Sequence, residues 1–229
     1  MSDLGEVDVL VGAVGSGGSL CGTARALRRA LRAAGRTRPL RVIGVDAVGS
    51  VLFAQPDLPG RRQSGLGNSL IPRNLDLAQI DEVHWLNDHE AFAATRDLAR
   101  EQSLFAGNTS GSVYQVLRHV AATAAPGTRV VGILPDRGDR YVDTVHSARY
   151  WAESGLDRLG VRSTPVEVAY GTEVSDWSWA RVPSTPRRRL LFVESNTTGT
   201  GLLALARTHE PGPGPGVADE PRGPLPGCR

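Results

Sequence analysis

The residues best placed to do chemistry are the run Gly15-Ser16-Gly17-Gly18-Ser19, which follows Val7-Asp8-Val9-Leu10-Val11 and precedes a helical pattern. A buried strand, a glycine turn and a helix N-terminus in that order make an anion site. Unpaired backbone N–H groups face the ligand, and the helix dipole favours negative charge. Ser16 and Ser19 add hydroxyl donors. The plainer alternative is that these glycines only permit a tight turn.

Different phosphate ligands leave different traces. A nucleoside triphosphate loop requires a lysine after its last glycine, and the 229-residue chain contains no lysine, its basic residues all being arginine. A dinucleotide fingerprint requires Gly-x-Gly-x-x-Gly. Gly15 and Gly17 begin that pattern, but Leu20 holds its sixth position. Asp46, at the end of the next strand pattern, sits where an acid would meet a ribose, so an NAD(P)-binding reductase domain is one reading. Otherwise Asp46 is a solvated or turn-capping carboxylate.

The elements that must position the loop follow from periodicity. Leu20, Ala24, Leu27 and Leu31 share one face of a helix predicted over 19–34, and Arg25, Arg28, Arg29 and Arg32 the other. Residues 41–46 read as a second strand, completing a βαβ unit. Residues 49–80 are irregular, punctuated by Gly60, Gly65, Gly67 and Pro72. Residues 82–86 read as a strand, and Asp88 is expected to cap a helix running to about Gln102. The turn at 106–111 leads into a helix burying Val113, Val116, Leu117 and Val120, and 129–134 form a fourth strand. This alternation predicts an α/β fold, a doubly wound parallel sheet.

Five segments extend the evidence beyond one loop. Val11 to Gly22, Val45 to Ser50, Gly65-Leu66-Gly67, Leu104 to Gly111 and Ile133 to Tyr141 occur in the order and spacing of the cysteine synthase family, and the chain resembles the C-terminal half of such an enzyme. The resemblance implies part of the large domain of a fold type II, tryptophan synthase beta-like enzyme. It implies pyridoxal 5'-phosphate as cofactor, its phosphate held by Gly15, Ser16, Gly17, Gly18 and Ser19. Gly65 would let backbone approach the cofactor. Thr109 would face the pyridine nitrogen, where a neutral hydroxyl does not hold that nitrogen protonated. The Asp136–Tyr141 motif would be mainly structural.

The implied reaction is β-replacement on an activated serine of the O-acetyl or O-phosphoserine type. Such enzymes anchor the cofactor on a lysine amine, and this chain has none. The resemblance therefore implies a half that is inactive alone and needs a lysine-bearing partner half or a homodimer. It also implies an uncovered apolar sheet edge and poor stability in isolation. A non-catalytic remnant that binds a partner protein is the third reading.

Composition bounds the rest. A formal net charge of +2 gives no general pull toward nucleic acid. Cys21 and Cys228 form neither a disulfide framework nor a metal pattern. With neither a leader pattern nor a long apolar run, a cytoplasmic protein without membrane contact is expected. Residues 1–158 are expected to form the cofactor-binding half and 159–187 a linker. Residues 188–207 resemble the first strand and turn of ATP-grasp ligases, and the proline–glycine tail over 208–229 is expected to be disordered.

Overall fold

A computed structural model describes residues 6–184. The ligase-like segment over 188–207 and the tail over 208–229 lie outside the described residues. Six strands form one sheet in the order β4-β1-β2-β3-β6-β5. They are β1 (Val9–Ala13), β2 (Arg41–Ala47), β3 (Glu82–Leu86), β4 (Val130–Gly132), β5 (Val166–Glu167) and β6 (Ser178–Arg181). The first four strands run parallel, and β6 is antiparallel to β3.

Helices cover both faces because the strands alternate. Leu10 and Val42 point to the face packed by α1 (Gly18–Ala33) through Leu20, Ala24 and Leu31. Val9, Val11, Ile43 and Val45 point to the other face, packed by Val113, Val116 and Val120 of α3 (Asn108–Thr123). A strand buried on both sides reads as a continuous apolar run, as Val9–Val11 does. Outside α3 lies α2 (Asp88–Gln102), with α4 (Ala148–Ser154) joined to it through Phe92 and Trp151.

Several sequence expectations change. β1 runs two residues further than expected, because Gly12 and Ala13 pair with Gly44 and Val45 and a ladder partner outweighs the weak strand propensity of glycine. β4 is shorter than expected: among the described residues it has β1 as its single neighbour, and Leu134 leaves the sheet 38% exposed. Asp88 is not the cap of α2. Asn87 accepts from Glu90 N at 3.1 Å while Asn87 N donates to Glu90 Oε2 at 2.9 Å, a full capping box. Asp88 instead accepts from the backbone of Arg62 and Gln63.

The linker expected over 159–187 is the largest correction. Residues 166–181 supply β5 and β6, which extend the sheet beyond β3. Trp177 is buried, and its Nε1 donates to His84 Nδ1 at 3.2 Å. These strands are too short to show a period, and antiparallel pairing of β6 with β3 and parallel pairing of β5 with β6 define them. Among the described residues, no helix is long and apolar enough to cross a membrane.

Candidate functional site

The chain order places β1 between β2 and β4. The chain leaves β1 by way of α1 toward β2, while β4 reaches the other edge of β1 from β3 by way of α2 and α3, and open α/β sheets form a crevice at the strand C-termini where their order breaks in this way. A cleft of about 110 Å³ opens there, lined by Ala13, Gly15, Ser16, Gly17, Ser19, Leu20, Gly65, Thr109, Ile133 and Pro135. Residues distant in sequence and singled out from it thus meet in one cavity. Gly18 is the one exception, standing in the first turn with its N–H 3.4 Å from Ser16 Oγ.

The loop is shaped for an anion. Gly17 caps α1 with φ of 79°, in the left-handed region; no side chain caps the helix and no acidic residue lies in its first turn. Gly18 N meets Ser16 Oγ, and the next N–H groups of α1 stand at the positive end of the dipole with no side-chain cap. Gly15 has no room for a side chain, because a Cβ would stand 2.8 Å from Gly65 O.

The opposite wall is built on Thr109. Its Oγ1 donates to Ser64 O at 2.9 Å, and Asn108 Nδ2 donates to the same carbonyl at 3.0 Å. Gly65, with φ of +88°, must lack a side chain because a Cβ would meet Thr109 Oγ1 at 2.7 Å. Thr109 is not the cap of α3; Gly107 holds that position. The capping acceptor comes from far along the chain. Asp136 Oδ2 accepts from Thr109 N at 3.1 Å, and Oδ1 accepts from Ser110 N at 2.8 Å and Ser110 Oγ at 2.6 Å.

Sequence reasoning treated Asp136 as part of a structural motif and missed that it fixes Thr109. The available signal was an α3 N-terminus without its own acidic cap, opposite a buried-strand end carrying a free carboxylate. Asp136→Ala is expected to cost about 2–3 kcal/mol, the sum of a lost cap and charge-assisted bonds. Urea unfolding monitored by circular dichroism checks this.

Asp46 does not reach the cleft as a ribose acceptor would. It is fully buried, and its Oδ1 accepts from Ala47 N at 2.9 Å. Removal from water pushes its carboxyl up to about 7, partly offset by the neighbouring Ser50 hydroxyl, the Ala47 N–H and the Arg61 charge. A carboxyl whose folded pKa lies above its unfolded value binds more protons when folded. Its contribution is therefore favourable at low pH and is lost as pH rises toward about 7. Asp46→Asn should be more stable than the parent chain at pH 8 by up to about 4 kcal/mol, and the gap should narrow to under half of that at pH 5 and close only below the ordinary carboxylate range, as thermal unfolding at the three pH values checks.

The family model described as "Pyridoxal-phosphate dependent enzyme" matches residues 1–136. The chain belongs to this pyridoxal-phosphate dependent enzyme family. It is 40% identical over 154 residues to the N-(2-amino-2-carboxyethyl)-L-glutamate synthase of Cupriavidus metallidurans, covering 66% of this chain and 43% of that protein. The protein of the same name from Ralstonia nicotianae is 39% identical, with 67% and 43% covered. The chain thus spans under half the length of these relatives.

Solved members of the pyridoxal-phosphate dependent enzyme family show the same fold. The O-acetylserine dependent cystathionine beta-synthase of Helicobacter pylori matches at a TM-score of 0.55 and 33% identity, over 62% of this chain and 45% of that one. An O-ureido-L-serine synthase matches at 0.53 and 26% identity, over 66% and 49%. Members of this cysteine synthase-like family depend on pyridoxal phosphate. The residues present fit that cofactor at its phosphate and ring ends: an uncapped helix N-terminus, two glycines that a Cβ would block and a hydroxyl opposite the loop. They do not provide the anchoring amine.

Proposed function

We propose that this chain forms the phosphate- and ring-holding half of an enzyme that replaces the β-substituent of an activated serine. Support comes above all from the single cleft in which the Gly15–Ser19 loop, Gly65 and Thr109 face one another. The loop N–H groups and the Ser16 and Ser19 hydroxyls bind the phosphate, and Gly65 leaves space beside the ring. When bound, pyridoxal phosphate supplies the electron sink for breaking the bond at the serine β-carbon.

Thr109 controls one proton. Its hydroxyl donates to Ser64 O, and that hydrogen would be the one available to the pyridine nitrogen of a bound cofactor. Asn108 Nδ2 keeps Ser64 O satisfied. A hydroxyl cannot protonate that nitrogen fully, which favours reactions whose leaving group departs early over those needing a long-lived carbanion.

The amine must come from outside this sequence, since the chain has no lysine. Among the described residues the outer edge of β4 has no strand partner, which supports a partner half docking nearby, with Leu104, Phe105 and Leu134 at 48%, 54% and 38% exposure around the same strand end. A covered edge and a supplied lysine are two parts of one requirement.

The test is pyridoxal phosphate titration of the chain alone and with a co-expressed lysine-bearing half. Alone, the chain should quench its tryptophan emission saturably, with inorganic phosphate competing, and should show no turnover of O-acetylserine. With the partner, borohydride should fix the cofactor to the partner's peptides and turnover should appear. No saturable binding in either arm rules the proposal out and leaves a non-catalytic remnant.

A further inference from the structure

Asp46 is the penultimate residue of β2, beside the turn that forms one wall of the cleft, and Gly67, with φ of +73°, packs closely there, a Cβ standing 3.4 Å from Asp46 Oδ1 and 3.1 Å from Ser50 Cβ. Ser50 is fully buried. Its Oγ accepts from Asn68 N at 3.0 Å and from Leu52 N at 3.4 Å. With both lone pairs engaged, its one proton is left for the carboxylate next to it, on which the Ser50 side chain acts, and Asp46 Oδ2 is buried with no hydrogen-bond partner among the described residues. Asn68 in turn accepts from Val51 N at 2.9 Å, and Gly67 N donates to Val14 O at 2.9 Å, just ahead of the phosphate loop. The Gly65–Gly67 turn is thus tied to Asp46 on one side and to the end of β1 on the other.

Resting on the reading above, we propose that Asp46 is a positioning residue: through Ser50 and Asn68 it sets where the Gly65–Gly67 wall stands against the cofactor ring. It touches no substrate. Its ionised form holds the Ser50 hydroxyl more strongly than its neutral form, because hydrogen bonds to a charged acceptor are about twice as strong. The charged and titratable groups facing Asp46 are Arg61, which favours the ionised form, and Tyr170, whose phenol is pushed up by burial and by the Asp46 charge. Trp85 stands opposite on β3, its Nε1 also without a partner. Ionisation in this setting falls within the range where cells operate, since burial holds the carboxyl near 7.

The experiment uses the full chain, isotope-labelled, in two arms. Without cofactor, the Asn68 and Gly67 amides are followed by NMR from about pH 5 to about pH 9. Both should titrate together near neutrality in the parent chain and stay flat in Asp46→Asn. With pyridoxal phosphate, the parent should bind about tenfold more weakly at pH 6 than at pH 8 beyond any change seen in Asp46→Asn. Ser50→Ala should bind about tenfold more weakly throughout. Titration of Asn68 that persists in Asp46→Asn, or parental binding by Ser50→Ala, overturns the proposal. If the parent does not bind pyridoxal phosphate, the cofactor reading fails separately, and the amide titration alone decides whether Asp46 governs the turn.

Discussion

Gly111→Ala is expected to abolish cooperative folding or to lower stability by about 3 kcal/mol or more. A Cβ at Gly111 would lie 2.5 Å from Thr95 Cα and 2.6 Å from Thr95 N, besides striking Thr95 Oγ1. Those first two atoms are backbone of α2, so no rotamer change relieves the contact and the two helices must separate. Separation would lift Ser112 from Gln63 and disturb the layer that buries Val113 and Val116 on the sheet. Interiors are packed too densely to absorb a shift of that size. Thermal unfolding beside Gly22→Ala is the check, since a Cβ at Gly22 meets nothing within 4 Å. Similar melting of the two variants would refute the close α2–α3 contact.

Gly17→Ala should weaken pyridoxal phosphate binding at least tenfold, with a smaller loss of stability. Gly17 has φ of +79°, and a Cβ there would lie 2.7 Å from Leu75 Cα, again backbone. A non-glycine residue in the left-handed region costs about 1–2 kcal/mol, and the clash adds to this unless the start of α1 moves. Moving it turns the first N–H groups away from the cleft, and each lost hydrogen bond to a charged phosphate costs about 1.5–3 kcal/mol. Fluorescence titration with pyridoxal phosphate measures the change. Gly35→Ala shares the positive φ but has open space around it, so it should lose stability without losing affinity. Equal affinities for the two variants would show that the loop does not hold the phosphate.

The sheet was legible where strands are buried on both faces. Val9–Val11 and Val42–Val45 are apolar runs flanked by turn residues, and hydrophobic burial leaves them one place to go. Residues 166–181 offered no such run, since a short edge strand takes its conformation from its neighbour and not from its own pattern. The cap of α2 was misplaced by one residue because Asn87 and Asp88 are both good caps by type, and only the reciprocal bonds to Glu90 separate them.

By itself the order of residues determined the glycine loop, the absence of any lysine and the set of segments that belong together, because these depend on side-chain type and spacing. The tertiary structure alone decided that Asp136 holds the helix bearing Thr109, that Asp46 is sealed from the cleft, and that Gly15 must lack a side chain because of the Gly65 carbonyl and Gly65 because of the Thr109 hydroxyl. Those outcomes depend on which backbones approach within a few ångströms, and chain separation in sequence carries no record of that distance.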